Sequence, residues 1–434
     1  MRQPYRKCGN AILNYMSVFI CPQIKSGGFC PYTGLDWLLW LMVSVWLIVD
    51  SITGFFISHG ATMPLSQLFK LTILMLVVIR LRRKGIMLLL ITGIYLSFYL
   101  LHTALADNGF IEPILTFSKF LSLLYLYFYF RFSFYCFPRK SATNGRKALV
   151  IAWTVFACNV VLGLIGFGVS TYGEADEEGI DMGVKGFFFA GNELGGIIAV
   201  LAPTMFYLIL VRLSGLKFAL AYIVVIAIGT LVGTKTAILA TWLSAIVIPL
   251  LYLPPRKRFR LFLVLVAAIG LSVPYVTNLI SESSIGAVER WSYFYDTGGL
   301  TRLIYSGRDD FWNVKRRLFY HSDFPTQLFG MGSDGKIVER DHLDSLLMFG
   351  YLGFFLITSF FLYLLFKAYR HRHNNSLMKV VIFSDLLILG IGYMAGHVWF
   401  SAMASVYIAL LNAFTFLRFD GVLFGRQNVR KSFP

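Results

Sequence analysis

Residues 340–370 read RDHLDSLLMFGYLGFFLITSFFLYLLFKAYR. From Leu346 the stretch is an unbroken apolar run before the basic loop Arg370–Lys379, long enough for a helix that crosses a bilayer. It opens on Asp341-His342-Leu343-Asp344, the end of a polar island that begins near Ser281. That island carries Arg302, Arg308, Arg316, Arg317, Arg340 and His342 beside a run of carboxylates. The chain before and after it reads as membrane helices, so the island is its working surface.

Outward from there, apolar runs of bilayer length recur along the chain. We place spans at about 35–57, 65–81, 85–101, 114–134, 148–168, 193–213, 216–231, 236–253, 259–279, 344–366, 379–397 and 402–418. The expected fold is therefore all-α: a polytopic membrane bundle of about twelve helices with both termini cytoplasmic. Residues 1–34 form a cytoplasmic or interfacial lead-in, with no cleavable signal because the run Ala11–Ile20 is too short to span. Residues 35–280 hold the first nine helices, 281–343 the large extracytoplasmic loop, and 344–434 the last three helices and a basic tail.

The formal net charge of +17 invites a nucleic-acid reading, which its distribution excludes. Basic residues concentrate in alternate loops: Arg80-Leu81-Arg82-Arg83-Lys84, Arg139-Lys140 with Arg146-Lys147, Arg256-Lys257-Arg258, and Arg370 to Lys379. The intervening loops are uncharged (Ser58–Pro64) or acidic (Leu105–Pro113, Glu174–Asp181). Positive loops stay inside, so the charge records topology in the cytoplasmic membrane and the island faces outward. Cys8, Cys21, Cys30, Cys136 and Cys158 avoid the outer loops, which argues against a disulfide framework.

Within the island, Ser306-Gly307-Arg308-Asp309-Asp310 looks like a helix start with a small cap and acids in its first turn. Phe311, Trp312, Val314, Leu318 and Phe319 then fit an amphipathic helix on the bundle or the membrane surface. The Gly330-Met331-Gly332 turn is not a dinucleotide fingerprint, because no βαβ unit surrounds it.

Asp50, Lys70, Lys119 and Asp385 are the ionisable residues inside predicted spans, where charge is costly and functional by default. Lys70 and Lys119 lie less than ~10 Å below the outer interface by helical rise, and Lys235 opens a span at the same level. Three such lysines match a diphosphate, which needs several donors and compensating charge. The competing reading has Lys70 and Lys119 reaching outward to water while Asp50 pairs with one of them. His342 opens a span directly after the arginine-bearing loop, and an imidazole there can take a proton from a hydroxyl nucleophile. Asp341 or Asp344 would orient it; the bland alternative is a helix cap. His397, beside Trp399, reads first as structural. Neither a metal site nor a cofactor loop is expected: the acidic loop lacks the ligand order of a calcium site.

The chain resembles the O-antigen ligase and polysaccharide polymerase superfamily. The resemblance rests on Gly186-Phe187-Phe188-Phe189-Ala190-Gly191-Asn192-Glu193, Gly233-Thr234-Lys235-Thr236, Ser306-Gly307-Arg308 with Trp312, and Leu328-Phe329-Gly330-Met331-Gly332 before Asp341-His342. Their order covers about residues 150–360. The resemblance implies a metal-independent, inverting glycosyltransferase acting on undecaprenyl-diphosphate-linked glycans at the outer membrane face. By it, His342 activates the acceptor hydroxyl and Arg308 and Lys235 bind the diphosphate; Asn192 is counted among the substrate or orienting residues. Lysine at 235 departs from the arginine common in the family, and Leu343 from the asparagine that often follows the histidine.

The expected function is polymerisation or ligation of lipid-linked oligosaccharides in surface polysaccharide (O-antigen, capsule or exopolysaccharide) biosynthesis. Its partners would be a glycan donor on undecaprenyl diphosphate, a glycan acceptor, the bilayer and other polysaccharide-assembly membrane proteins; no nucleic acid is expected. The alternative is a lipid-linked oligosaccharide transporter or flippase, which would show repeated halves and charge along a central path. Here the polar content is gathered in one outer loop.

Overall fold

A computed structural model of the chain describes residues 31–61, 63–105, 109, 111–172, 182–191, 193–259, 262–263, 266, 283–332 and 338–417. Over these it is almost wholly helical. α1 (Gly34–Ser44) and α2 (Trp46–Ser58) meet at a 50° bend, where a straight span over 35–57 was expected. α1 starts at Thr33, whose backbone N–H donates to the Asp36 carboxylate at 2.9 Å, the reciprocal arrangement of a capping box. The same carboxylate accepts from Arg80 at 2.7 Å and fastens α1 to α3 (Leu65–Leu81) at its basic end.

α4 (Arg83–Leu105), α5 (Ile111–Cys136) and α6 (Pro138–Leu164) follow, then α7 (Glu193–Arg212), α8 (Gly215–Leu231) and α9 (Lys235–Tyr252). Among the described residues, six helices are long and apolar enough to cross a membrane, seven if the bent α1–α2 pair counts as one span. The predicted span 259–279 falls almost entirely outside the described residues. α7 packs against α8, α9 and α14 (Met378–Met394), and 83% of its apolar window is buried. A uniformly apolar helix with that burial belongs at the centre of the bundle, away from lipid.

A small correction to the all-α expectation lies between α6 and α7. β1 (Val169–Tyr172) and β2 (Met182–Gly186) pair antiparallel, with Ser170 opposite Val184 and Tyr172 opposite Met182. Their β-branched and aromatic residues suit a strand. The Thr171 hydroxyl donates to the Val232 carbonyl at 2.7 Å, so the hairpin leans on the turn that leads into Lys235.

The polar island builds α10 (Ser283–Tyr305), broken at Gly298 and Gly299, then α11 (Arg308–His321) and α12 (Phe324–Phe329). α11 has the predicted start and amphipathic character: Phe319 is buried, while Phe311, Val314 and Leu318 line an exposed face at helical spacing. Ser306 does not cap it; the residue itself sits in the left-handed region at φ 54°.

α13 (Asp341–Arg370) was expected as a continuous helix over 344–366 and is instead interrupted at Gly350, with φ 63° and ψ −169°. A Cβ there would come within 2.4 Å of the Leu328 backbone, so the Leu328–Gly330 segment occupies the break. The Met331 amide donates to the Leu347 carbonyl at 2.8 Å, one of the groups a broken helix exposes. Asp341–Phe349 is thus a short piece of its own at the mouth of the bundle. α15 (Ser405–Ala413) ends in a 3-10 turn, and the connection 395–404 dips back into the protein.

Candidate functional site

Lys235 begins α9, whose start is capped by the Thr234 hydroxyl accepting from the Ala237 amide at 3.1 Å. Its ammonium donates to the Leu303 carbonyl at 2.9 Å and the Ser306 hydroxyl at 3.0 Å, and lies over the Phe294 ring. That ties α9 to the turn before Arg308. Arg308 in turn donates through Nε and Nη2 to Glu339, at 3.1 and 2.6 Å. Lys235 and Arg308, distant in sequence, are therefore brought to the two ends of the Ser306–Arg308 turn. Glu339 was not singled out, and no local pattern marks it.

Asp341 and Asp344 were expected beside His342 as orienting carboxylates. The structure gives both a different task. Asp344 accepts from the backbone amides of Val338 and Arg340, at 2.7 and 3.0 Å. Asp341, 1% exposed, accepts from the successive amides of His397, Val398 and Trp399, at 2.7, 2.9 and 2.8 Å. Helix starts and tight turns leave such amides without partners, and a carboxylate nearby satisfies them. The His342 ring stacks instead on Tyr393, with centroids 4.4 Å apart at 14°. Arg340 lies against the same ring and against Tyr305, 4.1 Å from its centroid, and donates to the Tyr393 carbonyl at 3.1 Å. His342 Nδ1 is buried without a hydrogen-bond partner among the described residues.

The lysines divide. Lys119 reaches Glu193 at 3.5 Å, and the same carboxylate accepts from the Ser401 hydroxyl at 2.7 Å and the Met403 amide at 3.3 Å. Glu193 thus joins α5, α7 and the 395–404 connection, a role hidden in sequence. Lys70 pairs with Asp50 at 2.6 Å over the Trp46 ring, and Ser66 donates to the same carboxylate. That is the pairing named as the structural alternative for Lys70. Asn192 lies outside the described residues; earlier in the same motif, the Phe187 amide donates to the Asn159 side-chain oxygen at 3.3 Å. The fourth intramembrane charge, Asp385, accepts from Asn412 at 2.7 Å, away from this mouth.

His397 is the residue that changes standing. It faces Glu339, Glu193, Lys119 and Arg308 closely enough for their charges to bear on it. Burial holds its imidazole below the usual histidine range, while Glu339 and Glu193 pull it upward. Among the described residues four non-glycines have positive φ: Arg82, Ser306, Glu339 and His397. Three of the four are in this network. Each such conformation costs about 1–3 kcal/mol, and strain of this kind collects where a site must be held ready. Among the described residues no group of three or more histidine, cysteine or carboxylate side chains is placed to hold a metal.

These features sit on a frame that one comparison identifies: the family model described as "O-antigen ligase like membrane protein" matches residues 36–284 and 294–420. The chain belongs to that family. The match spans nearly all of the described structure, including α9, the Arg308 turn, α13 and the 395–404 connection. Comparison with curated proteins and with solved structures returns no match. As an O-antigen ligase-like protein, the chain is a multi-pass membrane protein of glycosyltransferase type, serving polysaccharide biosynthesis.

Proposed function

We propose that this O-antigen ligase-like protein polymerises or ligates glycans carried on undecaprenyl diphosphate, at the outer face of the cytoplasmic membrane. The observation that carries the reading is the link from Lys235 through Ser306 to the Arg308 turn, which gathers cations of two distant elements at one mouth. A departing lipid diphosphate needs this: fixed cations in a half-buried place stabilise the charge that grows as the bond to the anomeric carbon breaks. Lys235 and Arg308 now use their donors on Ser306 and Glu339, and phosphate oxygens would take over those bonds. The acceptor hydroxyl attacks the anomeric carbon from the side opposite the diphosphate. Its proton passes to His342, the new C–O bond forms, and the lipid diphosphate leaves with inversion. Tyr293 and Tyr295, half-exposed on α10, offer faces for sugar rings.

The test uses protein in nanodiscs with an undecaprenyl-diphosphate oligosaccharide, without nucleotide. Wild type yields a ladder (polymerase) or a glycan moved to an added acceptor (ligase), and His342→Ala yields neither while staying folded. Absence of turnover with several donors, together with movement of the lipid across a liposome membrane, would replace this reading by transport.

A further inference from the structure

The mouth described above has two sides. Lys235 and Arg308 form the cationic one. Beside Arg308 the 395–404 connection presents His397, half-buried, between Glu339, which holds Arg308, and the Lys119–Glu193 pair. The carboxylates around this imidazole are each matched by a cation. A second anion has little to gain there, whereas a neutral, hydroxyl-rich ligand finds carboxylate oxygens and an imidazole nitrogen to bond.

The backbone around this imidazole is built with care. His397 has φ 69° and Glu339 has φ 59°, both in the left-handed region, which costs a residue with a Cβ more than it costs glycine. The two meet where Gly396 touches Glu339: a Cβ on Gly396 would fall 2.6 Å from the Glu339 carbonyl carbon. Asp341 then locks the turn by accepting three consecutive amides, beginning with that of His397 itself. Glycine would hold this turn with less strain than a residue that carries a Cβ. Holding histidine there at a conformational cost points to use of the ring.

We propose that His397 is a further substrate-contacting residue, one that hydrogen-bonds a hydroxyl of the acceptor sugar and sets it for attack, with Asp341 as its positioning residue. The proposal rests on the glycan-transfer reading and adds to it the acceptor side of the site. Glu339 serves both sides, since it holds Arg308 and borders His397.

The glycine variant tests this, because it separates ring from backbone. Full-length protein in nanodiscs is given a radiolabelled undecaprenyl-diphosphate oligosaccharide, while an acceptor oligosaccharide of the same repeat is titrated. His397→Gly melts at or above the wild-type temperature, since glycine accepts φ 69° without strain, yet its KM for acceptor rises at least tenfold with kcat much less changed. His397→Asn, which tolerates the left-handed region and keeps a hydrogen-bonding side chain, recovers part of the loss. Asp341→Asn raises the same KM and also lowers the melting temperature. An acceptor KM within threefold of wild type in His397→Gly overturns the proposal, as does a loss confined to kcat. If wild type transfers nothing, the glycan-transfer reading fails by itself, and calorimetry with the free acceptor oligosaccharide decides the remainder. Binding by wild type and its loss in His397→Gly sustain a sugar subsite; equal binding, or none, removes it.

Discussion

At the residue scale, the charges separate into those that hold the fold and those that face the mouth. Lys70 is of the first kind, paired at 2.6 Å with a carboxylate that is almost wholly buried. Lys70→Met leaves Asp50 without its cation and is expected to cost about 3 kcal/mol. Adding Asp50→Asn removes the stranded charge and restores most of that, read as the melting midpoint in detergent. A stable but inactive double variant would instead put Lys70 in the site. Arg308 is of the second kind. Its partner Glu339 is 40% exposed, so water screens the carboxylate left behind in Arg308→Ala and stability falls by no more than about 1 kcal/mol. Turnover is expected to fall roughly a hundredfold, with Arg308→Lys in between because lysine keeps charge and loses the fork geometry. Equal losses of stability and activity would mark Arg308 as scaffold.

At the scale of elements, the break in α13 decides where His342 stands. An uninterrupted helix would carry Asp341–Phe349 straight on from the lower half of the span. The left-handed Gly350 redirects it, and the Leu328–Gly330 backbone fills the gap. Gly350→Ala combines a disfavoured φ with a Cβ 2.4 Å from backbone that cannot swing away, an expected loss of about 3 kcal/mol. The variant should melt several degrees lower and transfer glycan poorly at temperatures where it remains folded. An unchanged melting curve would show that the break is not required. The apolar run alone gave no warning of it, since glycine is common in membrane helices and its φ is set by the segment that packs on it.

At the scale of the whole molecule, the alternation of basic and neutral or acidic loops predicts that α11 lies outside and the loop after α13 inside. In a chain stripped of its native cysteines, Ser322→Cys is expected to react with a membrane-impermeant maleimide in intact cells. Asn374→Cys is expected to react only after permeabilisation. The reverse pattern would turn the mouth toward the cytoplasm and defeat the use of an outward-facing lipid-linked donor. The exposed Phe311, Val314 and Leu318 of α11 agree with a helix resting on the outer interface.

The sequence by itself determined the helical membrane architecture, because bilayer-length apolar runs and loop charge are local properties that bulk solvent and lipid read directly. It also put forward His342 and Lys235 as candidates, through residue types at helix ends, and Arg308 through the family resemblance. Tertiary structure alone decided their partners. Glu339, Glu193 and His397 come from three segments far apart in the chain, and nothing in the local pattern of any one announces the others. Asp341 lies beside His342 in sequence, yet its carboxylate serves the 397–399 amides, because a buried carboxylate goes where unpaired N–H groups converge. Which charge pairs with which, and which backbone is strained to hold a ring in place, is set by packing between distant elements.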